Sequence, residues 1–333
     1  MAFLFGATVL GDLRMRNKIY DGDDGIGLVL SGGGAKGAFQ IGAWEAMCEL
    51  GLAKNVTAIS GTSVGAINGV AIATGNSIEK MKRLWGQAIN DVCSADFERL
   101  IDQVPALVDS VISFINGAPC HLPALLNRSR IEAILRELIP LSWPSNAPVL
   151  HTTSLKVVGN YVGNSDERFR LTRFDIGGAN GLKERICRIL ASAAMPWGFP
   201  PVEIDGEKYV DGGWNEKGGE NNPVTPILEE HPELKTVFVV RCNSADVDKS
   251  QIRRPRGVNV VEIRPKKSLP GIFDAYLDDI LKDPFYDYLS ELAFPDLKNK
   301  LRIWSGTLAF DRKFTEQYIK DGYDTAMEKL QSL

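Results

Sequence analysis

Histidine is scarce in this chain. Only His121, His151 and His231 occur in 333 residues, and none stands where a catalytic loop is expected. His121 lies beside Pro123 in a helical stretch, His151 falls in a strand signal, and His231 precedes Pro232 in a polar connection. A structural or surface role suits each, so chemistry that needs an imidazole base is poorly supplied. Cysteine is sparse too: Cys48, Cys93, Cys120, Cys187 and Cys242 are scattered, odd in number and free of C-x-x-C spacing. That pattern argues against a disulfide framework or a zinc site and fits a reducing compartment. No apolar run approaches the roughly 20 residues of a spanning helix. The formal net charge of -4 and the pI near 5.6 set nucleic acid aside as a partner. Met1 to Leu10 is apolar but has neither a basic region before it nor a small-residue cleavage site after it. Residues 1–25 therefore read as a local extension, with a cytoplasmic location and, at most, peripheral membrane contact expected.

Apolar residues, by contrast, are plentiful. At 44% hydrophobic and 24% charged the chain can bury a sizeable core, and disorder is not expected. Ile26 to Leu30 reads as a short buried strand after the polar Asp21 to Gly25, and the glycine-rich Ser31-Gly32-Gly33-Gly34-Ala35-Lys36-Gly37 follows at once. Ala38 to Leu50 is helical in pattern, with Gly51 where a C-terminal cap belongs. The unit then repeats: Val56 to Ser60 is strand-like, Gly61 to Gly65 is a tight turn, and Ala66 to Ala73 is helical. Two such units predict a parallel sheet covered by helices.

Residues 78–139 read as a helical insertion, with Val104, Leu107, Val108, Val111, Phe114 and Ile115 at helical spacing and Arg130 to Leu138 likewise. Strand signals return at Val149 to Val158, Phe169 to Phe174, Thr236 to Arg241 and Val258 to Ile263, and Phe314 to Leu333 predicts a final helix. One domain over 26–333 is the expected organisation.

Gly61-x-Ser63-x-Gly65 between a strand and a helix has the form of a nucleophile elbow. Its glycines permit the sharp turn that exposes a hydroxyl, and the helix N-terminus favours developing negative charge. Gly32, Gly34 and Gly37 also fit the G-x-G-x-x-G of a dinucleotide site, but a lone match is weak. The same glycines let the N–H groups of Gly33 and Gly34 converge on one spot, an oxyanion hole completed by the N–H of Val64, and the elbow downstream favours that use. Lys36 either steadies the loop or attracts an anionic headgroup. For the base, the leading candidate is Asp211, in Tyr209-Val210-Asp211-Gly212-Gly213, where a short strand ends in a glycine pair. A free carboxylate with a pKa of about 3.9 is a poor base for a hydroxyl, so such a pair depends on near-contact, desolvation and a stabilised oxyanion.

The glycine loop Gly32 to Gly37 (with Ala35 and Lys36), the elbow Gly61 to Gly65 and the Asp211-Gly212-Gly213 motif, in that order, resemble the patatin-like phospholipase family. Ala191 to Pro201 is similar to the family's segment before its aspartate, and Asn221-Asn222-Pro223-Val224 to the one after it. The resemblance implies a three-layer α/β/α fold with a central, mostly parallel sheet, a catalytic Ser63–Asp211 dyad, and metal-independent, cofactor-free hydrolysis of phospholipid or other acyl-ester lipids. An acyltransferase or thioesterase using the same serine, and a non-catalytic lipid binder, are the competing readings. In one respect the chain departs from the family pattern: Trp214 to Glu220 separates the aspartate motif from the Asn-x-Pro element and lengthens the loop beside the site. For contact with a lipid surface two features stand out, each with a plainer reading, a solvated basic loop for the first and core packing for the second. One is a basic cluster of Arg253, Arg254, Arg256, Arg264, Lys266 and Lys267 with only Glu262 against it. The other is apolar: Val104 to Ile115, and separately Ile272, Phe273, Tyr276, Leu277, Phe285, Tyr286 and Tyr288.

Overall fold

A computed structural model of the protein describes residues 25–92, 128–158, 169–196, 199–246, 248–271, 274, 306–307, 310 and 312–333. Its strands are β1 (Ile26–Leu30), β2 (Val56–Thr62), β3 (Val149–Val157), β4 (Phe169–Asp175), β5 (Val202–Ile204), β6 (Glu207–Asp211), β7 (Thr236–Val240) and β8 (Asn259–Ile263). Its helices are α1 (Ala38–Glu49), α2 (Val64–Ala73), α3 (Ile78–Val92), α4 (Arg128–Leu138), α5 (Leu182–Ser192), α6 (Val224–Glu230) and α7 (Arg312–Gln331).

The strands form one eight-stranded sheet in the order β5-β6-β3-β2-β1-β7-β8, with β4 also paired to β3. The centre is parallel: β1 with β2 and β7, β2 with β3, and β7 with β8. Antiparallel pairs gather at one side, where β3 meets β4 and β6, and β5 meets β6. A parallel strand buried on both faces needs apolar residues at every position, which is why Ile26–Leu30 and Thr236–Val240 are buried throughout.

Alternation along these strands divides the core in two. Leu28, Leu30, Phe238, Val240 and Ile263 face the larger cluster, which takes in residues of α1, α2, α5 and α7. Val29, Ala58, Val237, Val239 and Val260 face the smaller one, closed by Val224 and Ile227 of α6. Helices thus cover both faces, as expected, but unequally. On the thicker side α7 crosses α1 at its glycines. A Cβ on Gly42 would fall 1.8 Å from the Ile319 carbonyl oxygen, and one on Gly322 would fall 2.0 Å from that of Phe39. Backbone contact this close fixes the C-terminal helix against the first helix.

Several boundaries differ from the sequence expectation. Strand β2 continues through Gly61 to Thr62 and α2 starts at Val64, so the turn read as Gly61–Gly65 is a single residue, Ser63. The β5–β6 hairpin, whose first strand carries no clear signal of its own, turns on Asp205 and Gly206, both with positive φ (51° and 76°). This is the backbone that a two-residue hairpin loop demands and that Asp-Gly supplies. The ends of the expected helical insertion are helical in α3 and α4. Its middle, with Val104 to Ile115 and His121, lies outside the described residues, as do residues 1–24 and the apolar positions between Ile272 and Tyr288.

Candidate active site

The register of β3 places the site. Residues 151–153 pair with both β2 and β4, and residues 154–156 pair with both β4 and β6. Because a strand has two edges, β6 must lie on the edge that β2 occupies, beyond the point where β2 stops. The two run toward each other and end there: Thr62 opposite Thr153, Asp211 opposite Ser154. Ser63 follows Thr62, so hydroxyl and carboxyl meet head-on in the gap, at the carboxyl ends of the parallel strands where open α/β sheets bind ligands.

Ser63 holds φ 56° and ψ -123°, a backbone that costs about 1–3 kcal/mol for a residue with a side chain. Its surroundings enforce it. A Cβ on Gly61 would lie 2.4 Å from the Gly65 carbonyl oxygen, and one on Gly65 would lie 2.1 Å from that of Leu30. Only glycine at both positions lets α2 start this close to β1 and β2. The Ser63 N–H donates to Ser192 Oγ at 2.9 Å, and the Ser63 carbonyl accepts from Ala66 N–H at 2.9 Å, which secures the strained residue on both sides.

Asp211 is buried, 7% exposed. Its backbone N–H donates to the Ala194 carbonyl at 2.9 Å, and its Oδ1 accepts from Gly213 N–H at 2.7 Å. Burial raises its pKa from 3.8 to about 6, opposed by hydrogen bonds from the Ser63 hydroxyl and the Gly213 N–H. Desolvation dominates because neither donor is charged. The carboxylate is a stronger base than an exposed one and still ionised at pH 7.

Above this pair runs the glycine loop. Gly32 N–H donates to the Asn221 carbonyl at 3.1 Å, and a Cβ on Gly32 would approach Ser63 Cβ to 3.2 Å, so the loop passes directly over the serine. Gly34 has φ +56°. Among the described residues the N–H groups of Gly33 and Gly34 have no acceptor, and that of Val64 is one of the first-turn donors a helix leaves unpaired. Ala35, Lys36 and Gly37 form a short 3-10 turn behind them. Lys36 is buried, with Nζ donating to Asn243 Oδ1, and desolvation lowers its pKa to about 8 against Cys242, Asp248 and Asp274. Its ammonium is thus anchored inside the fold at the end of β7.

A cleft of about 860 Å³, counting its open mouth, begins at Gly34, Ser63 and Val64 and runs between α2, α3 and α4. Ile67, Met81, Leu84, Ile134, Leu138 and Phe199 supply much of its wall. The lengthened loop after Asp211 closes on itself beside the site: Gly219 N–H reaches the Trp214 carbonyl at 3.0 Å and Glu220 N–H the Gly212 carbonyl at 2.8 Å. Trp214 packs on Phe169 with ring centroids 5.3 Å apart. The additional residues therefore bulge away, and Asn221 still arrives at Gly32.

Other sequence candidates fall elsewhere. His151 and His231 meet each other, Nε2 to Nε2 at 3.2 Å, but His151 is paired with Ser60, roughly 10 Å down the sheet from Ser63 at about 3.3 Å per residue. Four of the six residues of the basic cluster make ion pairs. Arg253 pairs with Glu229, Arg254 and Arg264 with Glu262, and Lys266 with Glu328; Arg254 also donates to the Val260 carbonyl of edge strand β8. Glu229 and Glu328 are distant in sequence, so their charges were invisible in the local pattern. No helix among the described residues is long and apolar enough to cross a membrane. Ser192, Asn221 and Asn68 were not singled out for a role by sequence reasoning. Ser192 and Asn221 stand in segments that resemble the family, but their contacts form only across the fold.

Solved structures similar to the chain include VipD from Legionella pneumophila (15% identity, 93% of this chain and 67% of that one, TM-score 0.40). Human GIVD cytosolic phospholipase A2 is similar at 13% identity, over 97% of this chain and 63% of that one, with TM-score 0.37. ExoU from the type III secretion system of Pseudomonas aeruginosa follows at 17% identity, 89% and 53%, TM-score 0.30. The chain thus spans between about half and two thirds of their lengths. No curated protein sequence matches it. The model of the patatin-like phospholipase family matches residues 28–228, well over half of the 333 residues. Since that match runs from β1 through the strained serine and the buried aspartate into α6, the chain belongs to the patatin-like phospholipase family.

Proposed function

We propose that the protein hydrolyses fatty-acyl esters of lipids, in the manner of a phospholipase A or lysophospholipase, through a Ser63–Asp211 dyad. The observation that carries this reading is the apolar cleft that opens at Ser63: an acyl chain laid along it brings its ester carbonyl to the hydroxyl. Ser63 Oγ attacks the carbonyl carbon as Asp211 takes its proton. The N–H groups of Gly33, Gly34 and Val64 stabilise the oxyanion. On collapse Asp211 returns the proton to the departing alcohol, leaving the acyl chain on Ser63. Water then attacks the acyl-enzyme, gives its proton to Asp211, and the fatty acid departs as Ser63 is reprotonated. The strained backbone at Ser63 supports this assignment because such strain clusters at functional positions.

Mass-spectrometric analysis of products from phosphatidylcholine, lysophosphatidylcholine and p-nitrophenyl acyl esters tests the proposal, with Ser63→Ala as control. Free fatty acid that depends on Ser63 is the expected outcome, together with a fluorophosphonate adduct on that residue. Turnover persisting in Ser63→Ala sinks the dyad, and transfer of the acyl group to an added alcohol in preference to water replaces hydrolysis with transacylation.

A further inference from the structure

Behind the glycine loop lies a chain of polar groups that no step of the reaction consumes. Trp85 Nε1–H donates to Asn68 Oδ1 at 2.9 Å. Asn68 Nδ2 donates to the Gly37 carbonyl at 2.9 Å and to Gln40 Oε1 at 2.9 Å. Gln40 Nε2 in turn donates to the Ser31 carbonyl at 2.7 Å. Asn68 and Gln40 are each 1% exposed, so water cannot substitute for any of these partners without cost.

The chain has a direction, and the indole sets it. An indole N–H donates and cannot accept, so Asn68 must present Oδ1 to it. That choice leaves Nδ2 for Gly37 and Gln40, which forces Gln40 Oε1 toward Asn68 and Nε2 toward Ser31. The two carbonyls at its end bracket the segment Gly32 to Lys36, whose middle carries the N–H groups of Gly33 and Gly34. Its beginning lies elsewhere: Trp85 and Asn68 both line the apolar cleft, and the Trp85 ring also rests against Gly37, where a Cβ would come within 3.1 Å of Cη2.

Resting on the reading of Ser63 as an acyl-transfer nucleophile, we propose that Trp85, Asn68 and Gln40 are positioning residues that hold the loop's backbone donors on the oxyanion and link that placement to the filling of the cleft. A chain packed against the Trp85 ring restricts its rotation and holds the indole N–H on Asn68. Longer acyl chains then raise kcat as well as lowering KM.

Trp85→Phe keeps the ring in the wall and removes the donor, while Asn68→Asp keeps the shape and turns the donor into an acceptor. Steady-state kinetics on p-nitrophenyl esters of increasing acyl length, with melting curves for each variant, test the link. Trp85→Phe is expected to lower kcat about tenfold on long esters, with KM within about twofold, an unchanged melting point and kcat no longer rising with length. Asn68→Asp is expected to lower kcat about a hundredfold, the scale of losing one oxyanion donor. A folded Trp85→Phe with wild-type kcat and length dependence overturns the proposal. So does a uniform loss that tracks melting and keeps the length dependence, which marks a purely structural role. Trp85→Phe decides the matter if Asn68→Asp does not fold. A folded wild-type protein inactive on every ester removes the nucleophile reading instead, and the wild-type control separates the two failures.

Discussion

Two polar clusters sit along the sheet, and the one richer in imidazole is not the one that opens on the apolar cleft. His151 and His231 bring two imidazoles together with Glu230 and Glu233 nearby. They face the thin side of the fold at the end of α6, three residue positions down the sheet from the strained Ser63. Ser63 and Asp211 are individually unremarkable as residue types. They differ from the histidine cluster in three physical respects: a backbone forced out of the common regions, a carboxyl stripped of water, and an apolar cleft that begins at the hydroxyl. The lesson is that the proposed site is distinguished by what the backbone is made to do, and only secondarily by which side chains are present.

The largest test of that contrast is at Asp211. Asp211→Asn keeps the shape and the Gly213 contact but removes the proposed base, and turnover should fall about a thousandfold or more, the range of general-base contributions. Wild-type turnover should itself fall tenfold per pH unit below about 6, where Asp211 is protonated. The same substitution should stabilise the fold. Between pH 3.8 and about 6 the folded protein keeps a proton that the unfolded chain has lost, so wild-type stability declines as pH rises through that window. A shift of about two units corresponds to about 3 kcal/mol, recovered by the neutral amide at pH 7 and absent at pH 3. Melting curves of both proteins across pH measure it. An Asp211→Asn variant that melts lower than wild type at pH 7 contradicts the assignment of desolvation as the dominant cause.

Next in size is the strain on the other partner. Gly65→Ala puts a Cβ 2.1 Å from the Leu30 carbonyl oxygen, and neither backbone can yield without moving β1 or α2. A loss of about 3 kcal/mol or more is expected, at the upper end of overpacking costs, and chemical denaturation of the variant measures it. Because the contact sets the position of Ser63, activity should fall even in the fraction that remains folded. A Gly65→Ala variant with native stability means that the elbow is less constrained than its geometry indicates.

Much of this was legible beforehand, for a local reason. β1, the glycine loop, α1, β2 and α2 are consecutive units whose periodicity and glycine placement act within a few residues. The family resemblance then joined Ser63 to Asp211, which sequence spacing alone left as a candidate. What the sequence hid is what depends on long-range register. The end-to-end meeting of β2 and β6 on one edge of β3 follows from pairings between residues 58–62, 149–156 and 209–211. Ser192 and Asn221 act on Ser63 and Gly32 through single contacts across the fold, and a lone serine or asparagine carries no pattern. Two of the glutamates that pair with the basic cluster are hidden for the same reason, since Glu229 comes from α6 and Glu328 from α7.

The smallest effect sharpens the comparison from its other side. Burial lowers the pKa of His151, with the neighbouring His231 acting in the same direction and Glu230 against it. The folded protein therefore resists a proton that the unfolded chain accepts below about 6.5, and stability is lost as pH falls through that region. This slope is opposite in sign to that of Asp211. His151→Asn should leave kcat and KM within about twofold at pH 7.5, because the pair lies away from the cleft. It should flatten the acid decline in melting temperature and leave untouched the rise in turnover governed by Asp211. A large fall in kcat on losing His151, with the fold intact, would mean that the two clusters are coupled through β3 and that the sheet does not separate them.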